Sequence, residues 1–257
     1  MNYGLYLSAS GLLTNSYRQD VYANNLANVN TVGYKPDVPA LQARPAEAAE
    51  DFVPAGTSHA LLDRLGGGVL AGPQRTSFAP GPLEHTGRDL DVALVEPGTF
   101  LAVEHVDAEG NASVRLTRDG RLMIDAQGFV VTATGHRVLG PGDGPIAVDP
   151  TAELTIARDG SLMQNGGAVG QLQVAAADPY ALEKTGSNLF AFRGGDPRVI
   201  VDQPDLRVGE LEGSGTDAIK TLMSIMASTK AATANANLIK YHDSLMDHAV
   251  NTLGRVA

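Results

Sequence analysis

Asp89 and Asp91 stand two residues apart in the run Asp89-Leu90-Asp91-Val92-Ala93-Leu94. On a strand that spacing puts both carboxylates on one face, as a paired general acid and base requires. The pair reads as an acidic, solvent-facing strand start, with a soluble hydrolase using both carboxylates as the rival reading. Six histidines stand at 59, 85, 105, 136, 242 and 248 without an H-E-x-x-H motif; His242 and His248, six apart, point in different directions on a helix and cannot share a metal. They read as solvated or capping side chains. Asp107-Ala108-Glu109-Gly110-Asn111 collects oxygen ligands but lacks the spacing and terminal Glu of a calcium loop, so it reads as a hairpin turn. There is no Walker loop, G-x-G-x-x-G or G-x-S-x-G, and with zero Cys there are no thiolate sites, disulfides or cysteine nucleophiles. No catalytic residue, cofactor or metal is assigned, and the chain is expected not to be an enzyme.

Positioning these residues falls to a chain of 257 residues that is 43% hydrophobic and 19% charged, with 29 Gly and 14 Pro, a turn-rich globular composition that excludes wholesale disorder. A net charge of −10 offers no electrostatic footprint for a nucleic-acid backbone or an anionic membrane. The charge is unevenly placed: residues 1–35 and 217–257 each carry a net charge of +1, leaving 13 basic and 25 acidic side chains in 36–216. Near-neutral ends can be gathered in many copies at little electrostatic cost, while an acidic middle repels its like. No run approaches the ~18 apolar residues of a membrane-spanning helix. Met1 to Asn15 has no Lys or Arg and is broken by Ser8, Ser10 and Thr14, so it does not read as a cleaved secretory signal.

From Tyr3 to Leu26 the chain has no Pro, and Leu5, Ala9, Leu12, Ser16, Gln19, Ala23 and Leu26 recur at steps of four and three. This predicts a helix with a weak heptad seam that needs a partner, ending near Asn28 to Gly33 where Asn and Gly tolerate left-handed backbone. Residues 36–85 are rich in Pro and Gly without a sustained period and read as an extended arm, with one strand around Val69. From Asp89 to about Leu211 the pattern alternates, predicting short antiparallel strands. Arg118-Asp119-Gly120-Arg121-Leu122-Met123 is echoed at Arg158-Asp159-Gly160-Ser161-Leu162-Met163, predicting two hairpins with type I′ turns. Ser214 to Asp217 offer N-caps, and from Asp217 to Leu253 there is neither Pro nor Gly; at 1.5 Å per residue this predicts a helix of about 55 Å. Ile219, Leu222, Met226, Ile239, Met246 and Leu253 form its apolar stripes, Ala231, Ala232, Ala234 and Ala236 make it slim, and its expected partner is the N-terminal helix. The fold class expected is α+β: long N- and C-terminal helices paired as a coiled coil around a central, mainly antiparallel β domain. The expected parts are 1–35, the arm 36–85, a β-rich outer domain 86–212 able to fold alone, and 213–257.

Tyr22-Ala23-Asn24-Asn25-Leu26-Ala27-Asn28-Val29-Asn30-Thr31-Val32-Gly33-Tyr34-Lys35 resembles the A-N-N-L-A-N-x-N-T-x-G-[FY]-[KR] signature of the bacterial flagellar rod and hook family. The opening Ser8-Ala9-Ser10-Gly11, the run Asp89 to Leu94 followed by Gly98 to Val103, Leu116 to Gly120 with Gly128 and Gly135 to Gly140, and Thr185-Gly186-Ser187-Asn188-Leu189-Phe190 are similar to further family motifs in the same order.

The resemblance implies a non-enzymatic, self-assembling structural subunit of the flagellar basal-body rod, needed for flagellum assembly and motility. It would be exported by the flagellar type III apparatus without cleavage into the periplasmic rod. Its partners would be copies of itself and other rod and hook subunits, with no nucleic acid and no membrane span. A distal-rod or hook component of the same family is the alternative, and the length leans toward the proximal rod. The contact residues implied are Leu5, Ala9, Leu12, Asn24, Asn25, Leu26, Ala27, Asn28, Asn30, Thr31, Gly33 and Tyr34, with Ile219, Leu222, Met226, Asn235, Ile239, Met246 and Leu253. Thr229 to Asn235 departs from the family's Q-R-A-Y-E-A-N, and Ser214 to Asp217 stands where S-N-V-N/D is usual.

Overall fold

The computed structural model describes residues 3–45, 66–107 and 109–253; the middle of the arm, 46–65 with His59, lies outside the described residues. The chain forms two compact units: one of 1–27, 37–75 and 217–257, the other of 28–36 and 76–216.

The first unit is built on two helices, Tyr3–Ala27 and Ala218–His248, the second extended by a wider turn over Ala249–Leu253. Asp217 begins the C-terminal helix by accepting a 3.0 Å hydrogen bond from the Lys220 amide, satisfying one of the free donors of the first turn. The helices lie side by side and antiparallel: Gln19 Nε2 donates to Thr229 Oγ1 at 2.8 Å, Gly11 faces Asn235 and Gly4 faces His242. The approach is close because the N-terminal helix offers glycines there. A Cβ on Gly11 would stand 2.6 Å from Asn235 Nδ2, and one on Gly4 2.7 Å from His242 Nε2.

The shared face of the C-terminal helix differs from the apolar stripe expected. Thr221, Ile225, Ala232, Asn235, Ile239 and His242 are half-buried, and Ser228, between Ile225 and Ala232, is fully buried. These residues recur at steps of four and three. Ile219, Leu222, Met226 and Met246 turn outward instead. On the other helix Leu5, Ala9 and Leu12 are half-buried, while Tyr6 and Leu13 are exposed. The strand expected around Val69 is present as Val69–Ala71, paired antiparallel with Leu41–Ala43. Its carbonyl at Val69 receives the Thr14 hydroxyl at 3.5 Å.

The second unit is antiparallel β throughout its described pairings. Its largest sheet runs, in spatial order, Leu182–Gly186, Leu189–Phe192, Ala112–Thr117, Thr99–Val106, Arg137–Val138, Val130–Thr132, Leu122–Ile124, with Val174–Ala176 bridging Thr99–Val106 to Val199–Ile200. Residues 99–103 of the Thr99–Val106 strand are buried on both faces, so alternate residues serve two cores. Leu101 and Val103 pack with Leu122, Val138, Leu162 and Leu206; Phe100 and Ala102 pack with Leu116, Leu139 and Phe190. Phe78, Phe100 and Phe190 meet with ring centroids 5.3 to 5.8 Å apart.

The echoed Asp-Gly pairs do not form twin hairpins. Asp159-Gly160 closes one, but as a three-residue loop in which Gly160 has φ 81° and Ala157 N bonds Ser161 O at 2.8 Å. Asp119-Gly120 closes none. Ala112–Thr117 pairs with Thr99–Val106 and Leu122–Ile124 with Val130–Thr132, so the chain passes from one pairing to the other there. The two-residue turns with positive φ at both centres are instead Asn165-Gly166, at 52° and 79°, and Ser187-Asn188, at 49° and 60°. The expected turn at Asp107 is present, its carboxylate accepting the Glu109 and Asn111 amides at 3.0 and 2.8 Å.

Candidate functional site

The turn after the N-terminal helix belongs to the β unit. Asn28 O accepts from Thr31 N at 3.1 Å and Thr31 O from Tyr34 N at 3.2 Å, which folds the chain back on itself. Gly33 then adopts φ 66°, and a Cβ there would collide with the Arg118 carbonyl. Glycine is required at this position on both counts. From Gly33 onward the chain runs beside the segment that leads to the C-terminal helix: Gly33 N donates to Glu212 O at 2.7 Å and Gly215 N to Tyr34 O at 2.9 Å. Tyr34 is buried, with Lys184 Nζ 4.4 Å from its ring centroid.

Lys35, the last residue of the turn, is 1% exposed. Its Nζ donates to Glu212 Oε1 at 2.6 Å and to Ala79 O at 2.9 Å. Arg118 donates from Nη1 to Glu212 Oε2 at 2.9 Å, and from Nε and Nη2 to Thr99 O at 2.9 Å and Glu96 O at 2.5 Å. Gly81 N adds a 2.8 Å bond to Glu212 Oε1. One carboxylate thus serves two buried cations, and the neutral carbonyls complete their donor sets. Burial works to raise the Glu212 pKa, but Arg118, Lys35 and the donated hydrogen bonds hold it below the ordinary carboxylate value. Burial lowers Lys35, with Glu212 opposing and Arg118 assisting.

These residues escaped the sequence reading as a set. Lys35 and Arg118 lie in motifs already singled out, and Glu212 has no local signal. Asn188 is a second link, its Nδ2 donating to Val32 O at 2.8 Å.

Asn25 exchanges two bonds with Asp37, Nδ2 to the carbonyl at 2.7 Å and Oδ1 from the amide at 2.9 Å. It therefore holds the chain where it re-enters the first unit. Asn24, Ala27 and Asn30 are exposed, and Leu26 is half-buried. The side chain of Leu253 lies outside those described.

The carboxylate pair is not assembled. Asp89 sits exposed in a turn, whereas Asp91 is buried, accepts Thr86 Oγ1 at 2.8 Å and pairs by its backbone with Arg121. The turn before Asp91 breaks the strand periodicity that would have put both on one face. The histidines are not all solvated: His105, in Thr99–Val106, and His136, just before Arg137–Val138, meet with ring centroids 5.4 Å apart, and burial, with His105 beside it, lowers the His136 pKa. No group of three metal-ligating side chains is found among the described residues, and no described helix is long and apolar enough to cross a membrane.

A family model described as "Flagella basal body rod protein" matches residues 5–35. Along almost its whole length the chain is also similar to proteins named flagellar basal-body rod protein FlgF. The identity is 32% to that of Escherichia coli K12, covering 90% of each chain. It is 30% to that of Rhizobium meliloti, covering 99% of each, and 29% to that of Caulobacter vibrioides, covering 100% of each.

Proposed function

Since the chain belongs to the flagellar basal-body rod protein family, we propose that it is a self-assembling structural subunit of the rod, needed to build the flagellum. The observation that carries this reading is the outward apolar face of the helix pair. Ile219 is 72% exposed, Met226 59% and Leu222 48%, on the side of the helix away from the face that Ile225, Ser228, Ala232 and Ile239 turn to its partner. An isolated chain gains nothing from so much apolar side chain in water, whereas neighbours that bury it gain ~25 cal/mol per Å². Gly4 and Gly11 allow the two helices to pack as a slim antiparallel coiled coil, and the near-neutral ends let such pairs crowd together.

In this reading the helix pair stacks against other rod subunits and copies of itself. The β unit forms the outer, acidic part, and the chain reaches the periplasmic rod through the flagellar export apparatus uncleaved. A distal-rod or hook position remains the alternative place in the same axis, while the separated Asp89 and Asp91 speak against hydrolysis. The test is a strain lacking the gene, complemented with the full chain or with one lacking residues 2–35. Swimming and an intact rod are expected from the first alone, and a complete rod from the shortened chain overturns the proposal.

A further inference from the structure

We propose that Glu212 is the latch of the β unit: the unit closes as a whole when its last strand delivers this carboxylate to Lys35 and Arg118, and it cannot release that strand while staying closed. The three charges come from distant parts of the chain. Lys35 enters before any strand of the unit, and Arg118 near its middle. Glu212 arrives with Glu210–Glu212, the final strand, 177 residues after Lys35 and 94 after Arg118. All three side chains are at most 2% exposed.

The carbonyls of Ala79, Thr99 and Glu96 accept hydrogen bonds from the cations but carry no compensating charge. A β unit closed without Glu212 would therefore bury two positive charges with dipoles alone for company, a state disfavoured far more strongly than a missing strand pair. Apart from the carboxylate, the last strand is held by buried Leu211 and by backbone bonds to the Gly33 amide and the Pro82 carbonyl. It pairs through three residues with Leu83–His85, whose side chains are exposed, and edge pairs of this kind ordinarily open locally.

The latch changes that behaviour by tying the strand to Thr99–Val106 through Arg118 and to the signature turn through Lys35. Two chain segments are committed together. The signature turn follows directly on the N-terminal helix, and five residues after Glu212 lies Asp217, the cap of the C-terminal helix. The backbone leaving one helix and the backbone entering the other thus become fixed in a single event, available only to a chain that extends past residue 212.

Hydrogen exchange on the full-length chain tests this. The probes are the amides of Gly33 and Gly81, bonded to Glu212, against the core amides of Leu122 and Val130. The latch predicts that all four exchange within about tenfold of one another, since none can open alone. Gly33 and Gly81 exchanging a hundredfold or more faster than the core would overturn it. A Lys35→Met, Arg118→Met, Glu212→Met chain, which removes every charge at once, should keep the core protected while Gly33 and Gly213, whose backbone acceptors on Glu212 and Pro82 remain, become at least tenfold faster than the core. If that triple variant keeps Gly33 and Gly213 together with the core amides, the coupling comes from packing and the latch is refuted.

Discussion

Asn188 Nδ2 donates a 2.8 Å hydrogen bond to the carbonyl of Val32, joining a hairpin turn late in the β unit to the turn that follows the N-terminal helix. Asn188 holds φ 60°, a conformation that Asn tolerates better than most side chains, and its own carbonyl accepts from Thr117 Oγ1 at 3.1 Å. Asn188→Ala removes the side-chain bond and keeps the unfavourable φ. A loss of about 1–3 kcal/mol is expected, from a hydrogen bond plus left-handed strain. Denaturant unfolding of the full chain measures it, and an unchanged midpoint would remove Asn188 from the account of the turn.

Gly33 is more constrained still. Its φ of 66° disfavours every side chain, and the space where a Cβ would go is taken by the Arg118 carbonyl. Gly33→Val adds a clash to roughly 1–3 kcal/mol of backbone strain, so the β unit should unfold at clearly lower temperature and swimming should fail. A Gly33→Val chain with the melting temperature of the parent would mean that the turn is not held as described.

How much of this was readable in advance differs by element. Both helices follow from long stretches without Pro, and the strands from short runs bounded by Gly, Pro or Asp turns, such as Phe100-Leu101-Ala102-Val103, which are local signals. The helix seam was less readable. Large residues such as Leu222 and Met226 draw the eye, yet glycines on the partner helix bring the backbones so close that Ser228 and Ala232 fit there instead. The Asp-Gly echo misled because the strands on either side of Asp119-Gly120 pair with different partners, Thr99–Val106 and Val130–Thr132, and not with each other. Asn165-Gly166, the stronger dipeptide for a two-residue turn, does form one. The ion-pair network was invisible for a physical reason: its partners are far apart along the chain, and only the folded backbone brings them together.

The depressed pKa of Glu212 makes a pH prediction with a definite sign. A carboxylate whose folded value lies below its unfolded one contributes stability above the unfolded value of ~4.3, and that contribution is lost as pH falls through the folded value. Glu212→Gln should cost about 3–5 kcal/mol at pH 7, because two buried cations lose their counter-ion. It should also flatten the loss of stability below pH ~4 relative to the parent. Melting curves between pH 7 and pH 3 give both quantities. An acid slope as steep in the variant as in the parent would show that Glu212 does not drive the acid response.

The seam between the helices can be tested apart from the β unit. Gly11→Leu would gain helix propensity, by about 1 kcal/mol on the Ala–Gly scale, yet it drives a branched side chain into the Asn235 amide. The helices must then separate, while the β unit, which contains neither residue, should keep its own melting transition. Loss of rod assembly with that transition preserved is the expected pattern. Normal assembly would mean that the close approach at Gly11 is dispensable.

The outward face makes the complementary case. Leu222 and Met226 are one turn apart on the exposed side of the C-terminal helix, where a charged residue costs the isolated chain little. Leu222→Glu with Met226→Glu should leave the unfolding midpoint of the purified chain unchanged within an effect of about 0.5 kcal/mol per substitution. In a rod the same pair would place two carboxylates into surface that neighbours must bury, and an unpaired buried charge is among the costliest changes an interface can carry. The expected result is a stable, exported subunit that fails to form a rod and leaves cells non-motile. Electron micrographs of basal bodies and swimming assays read the outcome. Complete rods built from the doubly substituted chain would show that this face stays in water and would move the assembly surface elsewhere on the subunit.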